Sequence, residues 1–228
     1  MKIAMWSGPR NLSTAMMYSF GNRVDFDAWD EPFYAAYLAA TGIDHPMRKE
    51  ILSGHDGDAD EVAQRIRDCG TNIYMKHMAF HMVEGFPLDW AEDCVNVHLI
   101  RHPARVVASY LAKRENPTLR DIGFQQQAEI FDLFPGPVVD SADVRRDPET
   151  SLRSLCVAID LPFDPAMLAW DAGPRQFDGV WAAHWYGSVH RSTGFAGEEG
   201  PLPKLDGDAQ ALVNAALPFY DRLSALAI

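Results

Sequence analysis

Residues Ser7–Thr14 read Ser-Gly-Pro-Arg-Asn-Leu-Ser-Thr, between a short apolar run, Lys2–Trp6, and a breaker-free stretch, Ala15–Phe20. A strand, a tight loop and a helix N-terminus in that order make an anion site. The first N–H groups of a helix lack intrahelical acceptors, and the helix dipole adds positive charge at the same end. Gly8 and Pro9 form the turn, Asn11 and Leu12 continue the loop, and Arg10, Ser13 and Thr14 add side-chain donors aimed the same way. The expected ligand group is a phosphate or a sulfate. The pattern is not Gly-x-x-x-x-Gly-Lys-Ser/Thr, because Ser13 stands at the second glycine position and Thr14 at the lysine position. A βα turn capped by Ser or Asn accounts for the same residues without any ligand.

A second chemical segment is Arg101-His-Pro-Ala-Arg-Val-Val-Ala-Ser-Tyr110, directly after Val95-Asn-Val-His-Leu-Ile100. Pro103 suits the first turn of a helix. Arg101 then ends a buried strand, where a charge is costly unless it meets a partner, either a ligand or a structural carboxylate. Ser109 lies farther along the helix and either reaches the ligand or bonds back to its own backbone.

The elements that position these residues alternate. Apolar or β-branched runs at Lys2–Trp6, Val24–Trp29, Asn72–Lys76, Asn96–Ile100 and Pro137–Asp140 predict strands. Helical patterns lie at Leu12–Asn22, Pro32–Ala40, Ala59–Cys69, Ala104–Arg114, Phe124–Phe134 and Pro148–Ile159. The expected fold is α/β: three layers, with a central, mostly parallel sheet flanked by helices. Ligands of such sheets bind at the carboxyl ends of the strands, and Ser7–Thr14, Lys76–His81 and Arg101–Ser109 all fall there. Gly54–Asp58 reads as an exposed acidic loop without the calcium-loop pattern. Gly173–Pro203, rich in Gly, Pro and aromatics, reads as a lid or substrate-facing segment, and Asp208–Ile228 as a final amphipathic helix broken or restarted at Pro218.

At 228 residues, with 47% hydrophobic, the chain is expected to form one domain over 1–228 with a sizeable core. A net charge of −12 argues against a nucleic-acid surface and against a polyanionic acceptor. It allows a small anionic ligand, because a few Arg and Lys in a cleft focus local potential. Cys69, Cys94 and Cys156 are far apart and give no metal spacing and no even disulfide set. No metal and no membrane partner is expected, and neither a signal-peptide core nor a membrane span is seen. A cytoplasmic location follows as an expectation.

These motifs together resemble the sulfotransferases that use 3′-phosphoadenosine 5′-phosphosulfate (PAPS). That family's 5′-phosphosulfate loop reads Pro-Lys-Ser-Gly-Thr-Thr, and Pro9-Arg-Asn-Leu-Ser-Thr14 lies in its place. Its 3′-phosphate motif has an Arg at a strand end and a Ser eight residues later, as in Arg101 to Ser109. A strand ending at Asp140, a turn through Arg145, Arg146, Asp147 and Pro148, and a helix to Ile159 are similar to a third family segment. The resemblance spans about residues 1–165 and implies a P-loop-type domain. It departs at Arg10, where the family has Lys, at Leu12, where it has Gly, and at Met78, where its Lys-x-His motif has the His.

The resemblance implies transfer of a sulfuryl group from PAPS to a hydroxyl or amine of a small-molecule acceptor, with no metal. Lys76 and Arg10 would then stabilise the leaving phosphate and the sulfuryl oxygens, and Ser13 and Thr14 would cradle the 5′-phosphate. Arg101, Ser109 and the late Arg191 would hold the 3′-phosphate. His81, ahead of His77, would take the acceptor proton, unless either His simply caps or fills the junction after the strand. Glu31 is a rival base, a ligand for a cationic acceptor, or a helix-start acid beside Pro32. Asp30, Phe33 and Tyr34, after the second strand, border the acceptor pocket with Glu31, and the aromatics of Trp181–Phe195, Trp185 and Tyr186 among them, stack on adenine, line that pocket, or belong to the core. Two other readings share the fold: a P-loop kinase or phosphotransferase, and a catalytically silent nucleotide-binding protein.

Overall fold

The computed structural model describes residues 1–113 and 116–228, so the Arg114 end of the expected helix Ala104–Arg114 lies outside the described residues. Five strands, β1 (Lys2–Ser7), β2 (Asp27–Asp30), β3 (Ile73–Met78), β4 (Val95–Ile100) and β5 (Val138–Asp140), form one sheet in the order β2-β3-β1-β4-β5. Every pairing is parallel, with Ser7 opposite Met78 and Leu99, Asp30 opposite Lys76, and Ile100 opposite Asp140. All five expected strands are present, with the second shortened to Asp27–Asp30.

The helices are α1 (Ser13–Gly21), α2 (Tyr34–Thr41), α3 (Arg48–Gly54), α4 (Ala59–Asp68), α5 (Pro103–Leu111), α6 (Leu119–Ile122), α7 (Phe124–Leu133), α8 (Ser141–Arg146), α9 (Pro148–Ala158), α10 (Ala182–Trp185) and α11 (Gly207–Ser224). Several start on side-chain caps, as expected where Asp or Thr precedes a helix. Asp58 accepts from the first turn of α4, Thr118 and Asp121 close a capping box on α6, and Asp147 caps α9 ahead of Pro148. The expected break at Pro218 does not occur: α11 runs through it. Proline removes one i→i−4 bond, and burial of Val213, Ala216 and Leu223 from the same helix offsets that loss.

Period-2 alternation sorts the central strands onto two cores. Ile3, Met5 and Tyr74 face one core, with Tyr18 of α1 and Leu152 and Leu155 of α9. Ala4, Trp6, Ile73 and Met75 face the other, with Val62, Ala63 and Ile66 of α4 and Trp90. Lys76 and Met78 therefore share the face of Tyr74, and His77 points to the opposite face.

The chain steps leftward from β1 to β2 and β3, then rightward to β4 and β5, so the sheet reverses direction between β1 and β4. That switch point is where α/β sheets bind ligands. Gln127 of α7 spans it, donating from Nε2 to the carbonyls of Trp6 (3.2 Å) and Leu99 (2.9 Å), and Asn11 Nδ2 also donates to Leu99 (3.2 Å).

Two histidines are buried within the sheet. His77 stacks on Trp6 at 4.7 Å beside Trp90, its Nε2 has no partner, and burial pushes its pKa down to about 3. His98 Nε2 lies 2.9 Å from the Phe134 carbonyl oxygen, and burial pushes its pKa to about 4. Both are neutral when folded and ionise near pH 6.5 when unfolded. Folded values below unfolded ones mean stability that is complete above about pH 6.5 and declines as pH falls below it. Each histidine is expected to withdraw about 2 kcal/mol between pH 6.5 and pH 5. In urea melts at pH 7 and pH 5, His77→Phe should lose less stability than the wild type by that amount, and an equal loss would refute a neutral, buried His77.

Candidate active site

At the carboxyl ends of β2 and β3, Lys76 is almost wholly buried. Its Nζ lies 3.0 Å from Asp30 Oδ1 and 2.6 Å from Glu31 Oε1, and it also donates to the Tyr186 hydroxyl. An ammonium has three N–H donors, and these contacts use all three. The Tyr186 hydroxyl donates to Asp30, with Oδ1 at 2.7 Å and Oδ2 at 2.8 Å, and accepts from Trp181 Nε1 at 3.1 Å. The Gly179 amide donates to Asp30 Oδ2 at 3.0 Å. Burial by itself would push the Lys76 ammonium down, but Asp30 and Glu31 outweigh it and raise its pKa. Burial raises Glu31 and the Asp30 charge adds to this, against the pull of Lys76. Two carboxylates thus share one cation.

Glu31 leaves β2 with φ of 44°, in the left-handed region that costs a non-glycine residue about 1 kcal/mol or more. That turn delivers its carboxylate to Lys76. The other oxygen, Oε2, lies 3.9 Å from His81 Nδ1. The His81 ring is sandwiched between Tyr34 and Tyr37, with both centroids at 4.7 Å. Burial, with neighbouring positive charge, holds its pKa well below the ordinary value.

On the other side of the switch point, loop 8–12 joins β1 to α1. A Cβ on Gly8 would sit 2.7 Å from the Ile122 carbonyl oxygen, so only glycine fits there. Leu12 stands at the N-cap with φ of 71° and makes no side-chain cap bond, and the first turn of α1 holds no acidic residue. The Arg10 guanidinium lies over the rings of Trp185 (5.1 Å) and Tyr110 (5.3 Å). Arg101 Nη1 donates to the Arg10 carbonyl at 2.6 Å, which couples the end of β4 to the loop. Its Nη2 pairs with Glu199 Oε1. Arg145 Nη1 reaches that same oxygen at 2.7 Å, and Arg105 Nε lies 3.2 Å from Oε2. Three arginines, one directly after β4 and the others from α5 and α8, thus surround one carboxylate, whose pKa they lower against its burial.

The structure gathers Lys76, His81 and Glu31 at one end of this region, and Gly8–Thr14 with Arg101 at the other. Ser109 lies one turn beyond Arg105 on α5 and shares its face. His77 and Phe33 pack instead with Trp90 on the opposite side of the sheet. Arg191 is exposed on a 3-10 turn, Val189–Arg191, while the arginines on Glu199 are 101, 105 and 145. The Tyr34 hydroxyl pairs with His45 Nδ1 at 3.0 Å. The sequence reading places Asp30 and Tyr186 beside the acceptor but not on Lys76, and it does not anticipate Arg105 or Glu199 as site residues. The i, i+4 spacing of Arg101 and Arg105 is the only local signal for any of them.

A family model described as "Sulfotransferase domain" matches residues 1–227. The chain belongs to the sulfotransferase domain family. Two Arabidopsis thaliana proteins are similar to it: "Branched-chain-amino-acid aminotransferase-like protein 1", 38% identical over 97% of this chain, and protein 2 of that name, 36% identical over the same share. The chain covers 41% of each, so it spans about two-fifths of the length of these curated relatives. Among solved structures, the sulfotransferase domain from the curacin biosynthetic pathway superposes with a TM-score of 0.54 at 16% identity, covering 93% of this chain and 96% of that one. A sulfotransferase from Alicyclobacillus acidocaldarius gives 0.53 at 13%, covering 98% and 94%. At these identities the likeness establishes the fold, the expected three-layer arrangement around a parallel sheet.

Because Lys76 neutralises two buried carboxylates, removing it strands them. Loss of one partner of a buried ion pair costs about 3–5 kcal/mol. Lys76→Met should therefore melt about 10 °C or more below the wild type. An unchanged melting temperature would mean the carboxylates do not depend on that charge.

Proposed function

We propose that the chain transfers a sulfuryl group from PAPS to a hydroxyl or amine of a small acceptor. The observation that carries this reading is the single guanidinium of Arg101, shared between the β1–α1 loop and a three-arginine cluster that already holds a carboxylate. A loop at an uncapped helix start and a cluster of arginines, joined by one side chain, fit a ligand with two separated anionic groups. PAPS carries such groups at its 5′ and 3′ positions, and it supplies the sulfuryl group, leaving as adenosine 3′,5′-bisphosphate.

In this reading the N–H groups at the start of α1, with Ser13 and Thr14, hold the 5′-phosphate end. Arg10 neutralises charge at the sulfuryl oxygens. Its planar fork, kept against Trp185 and Tyr110, replaces the point charge of a lysine. Lys76 has no N–H left for a leaving oxygen, so it acts as a positioning residue for Glu31. Glu31 is the general base: its carboxylate is less enclosed than His81, its pKa is raised toward neutrality, and Lys76 and the backbone turn at residue 31 fix its direction. His81, buried between two tyrosines and held neutral, positions the Glu31 face instead. The acceptor loses its proton to Glu31 as its oxygen or nitrogen bonds to sulfur and the bond from sulfur to the phosphate oxygen breaks. Positioning and electrostatics supply the rate, as in phosphoryl transfer.

Thermal melts with adenosine 3′,5′-bisphosphate, set against ATP with magnesium, test the donor. Ligand at a hundred times its Kd adds about 2.7 kcal/mol, or a rise of about 5–10 °C. The rise is expected with the bisphosphate and should shrink in Arg101→Ala. A rise with ATP and magnesium alone would overturn the reading in favour of a phosphotransferase. Once an acceptor is in hand, Glu31→Gln should cut kcat about a hundredfold to ten-thousandfold with little change in bisphosphate binding. In the wild type, kcat/KM should rise with pH through an acid limb above the ordinary carboxylate range, because only ionised Glu31 accepts a proton. If Glu31→Gln kept full activity, the base would lie elsewhere.

A further inference from the structure

Glu199 is held unlike any other carboxylate among the described residues. Its side chain is 8% exposed, within reach of three guanidinium groups: Arg101 and Arg145 on Oε1 and Arg105 on Oε2. Oε1 accepts from Arg101 and Arg145, while Oε2 lies 3.2 Å from Arg105 Nε without a hydrogen-bond donor, and the cluster keeps two positive charges in excess. The arginines also grip the main chain on either side. Arg145 Nε donates to the Gly197 carbonyl at 2.9 Å and Arg105 Nη2 to the Gly200 carbonyl at 2.5 Å. The backbone carrying Glu199, residues 196–203, has no helix or strand, and its neighbours Ala196, Gly197, Glu198, Gly200, Pro201 and Leu202 are all exposed. A Cβ on Gly197 or Gly200 would meet nothing within 4 Å. The strap therefore lies on the surface, fastened to the fold by one carboxylate and two carbonyls, all on arginines.

A carboxylate and a phosphate monoester present similar oxygens to a guanidinium fork, and the phosphate brings one more oxygen and one more negative charge. Three arginines suit the phosphate better than the carboxylate.

We propose that Arg101, Arg105 and Arg145 form a phosphate-monoester site in which Glu199 is the resident occupant, so that a ligand phosphate binds by exchange with Glu199 and releases the 196–203 strap. This rests on the proposed PAPS reading for the identity of the ligand, whose 3′-phosphate would take the site, but not for the existence of the site. Arg105 and Arg145 thereby become ligand residues alongside Arg101. The exchange also sets affinity, because the intramolecular carboxylate competes at a fixed high effective concentration. The apparent Kd for the phosphate is raised by the fraction of time that Glu199 is in place.

The test uses the whole chain and three probes in titration calorimetry: adenosine 3′,5′-bisphosphate, adenosine 5′-monophosphate, which lacks the 3′-phosphate, and inorganic phosphate. Glu199→Gln keeps the size of the side chain and removes its charge. It should bind the bisphosphate at least tenfold tighter than the wild type and the 5′-monophosphate within twofold. Arg105→Ala and Arg145→Ala should each weaken the bisphosphate about 10- to 100-fold and leave the 5′-monophosphate unchanged. Amide exchange over residues 196–203 should quicken when the bisphosphate binds the wild type. Unchanged or weaker bisphosphate binding in Glu199→Gln, or slower exchange over the strap, would overturn the proposal, the latter by showing that the strap closes on the ligand. If no variant binds either nucleotide but Glu199→Gln gains binding of inorganic phosphate, the exchange stands and the PAPS reading falls. If Glu199→Gln gains no anion at all, the exchange falls.

Discussion

A buried ammonium group governs this fold's active end. An unpaired charge in the interior costs several kcal/mol, so Lys76 at the end of β3 obliges partners to come to it. Asp30 and Glu31 arrive from the adjacent strand, and Tyr186 arrives from a segment 110 positions away in sequence. The demand has structural reach. It holds the end of β2 against β3 where the backbone must turn sharply at Glu31, and it draws the 179–186 segment down onto the sheet through Gly179, Trp181 and Tyr186. The strained φ at Glu31 persists because charge pairing over-determines it.

Across the switch point the balance of charge is inverted. Around Lys76 two acids share one cation, whereas around Glu199 three cations share one acid. In the proposed reading the two clusters divide the labour that group transfer requires. A surplus of carboxylate raises a proton affinity and makes a base, and a surplus of guanidinium makes an anion site. The protein's net charge of −12 does not oppose this division, because charges focused in a cleft set the local potential there. Arg101 ties the Glu199 cluster to the β1–α1 loop, since its guanidinium also fixes the carbonyl of Arg10.

What the sequence reveals and what it hides follow from the range of the interactions. Continuous apolar runs such as Ile3–Trp6 announce buried parallel strands, and all five expected strands are found within a few residues of their expected ends. The Gly8–Thr14 loop and Arg101 are legible because strand, turn and helix signals sit side by side. The Lys76 partners are not, because nothing local links Lys76 to Tyr186, and the acid at Glu31 reads equally well as a helix-start residue. Glu199 is hidden for the same reason: it lies 98 positions from Arg101 in a stretch without periodicity. His77 misleads because a histidine beside a lysine reads as a proton acceptor, whereas strand alternation turns it to the opposite face, between Trp6 and Trp90. Pro218 misleads because its missing hydrogen bond is visible in the sequence and the tertiary burial that compensates for it is not.

The departures from the family pattern then take on a common meaning. Leu12, where the related loops have glycine, adopts the left-handed backbone that glycine would take, with φ of 71°, and packs its side chain against the main core. The loop keeps its shape at a local cost of about 1 kcal/mol, offset by apolar contact. Arg10, where the related loops have lysine, gains two aromatic faces that a lysine would use less well. Met78, where a histidine would stand, lies on the Lys76 face with its sulfur 4.0 Å from the Ser7 hydroxyl, and in the proposed reading proton acceptance passes to a carboxylate. On the proposed reading each substitution moves a task to a neighbour that the fold already holds in place: backbone shape to core packing, charge to a stacked guanidinium, and basicity to Glu31. The site departs from the family's residues while keeping the physical requirements they meet.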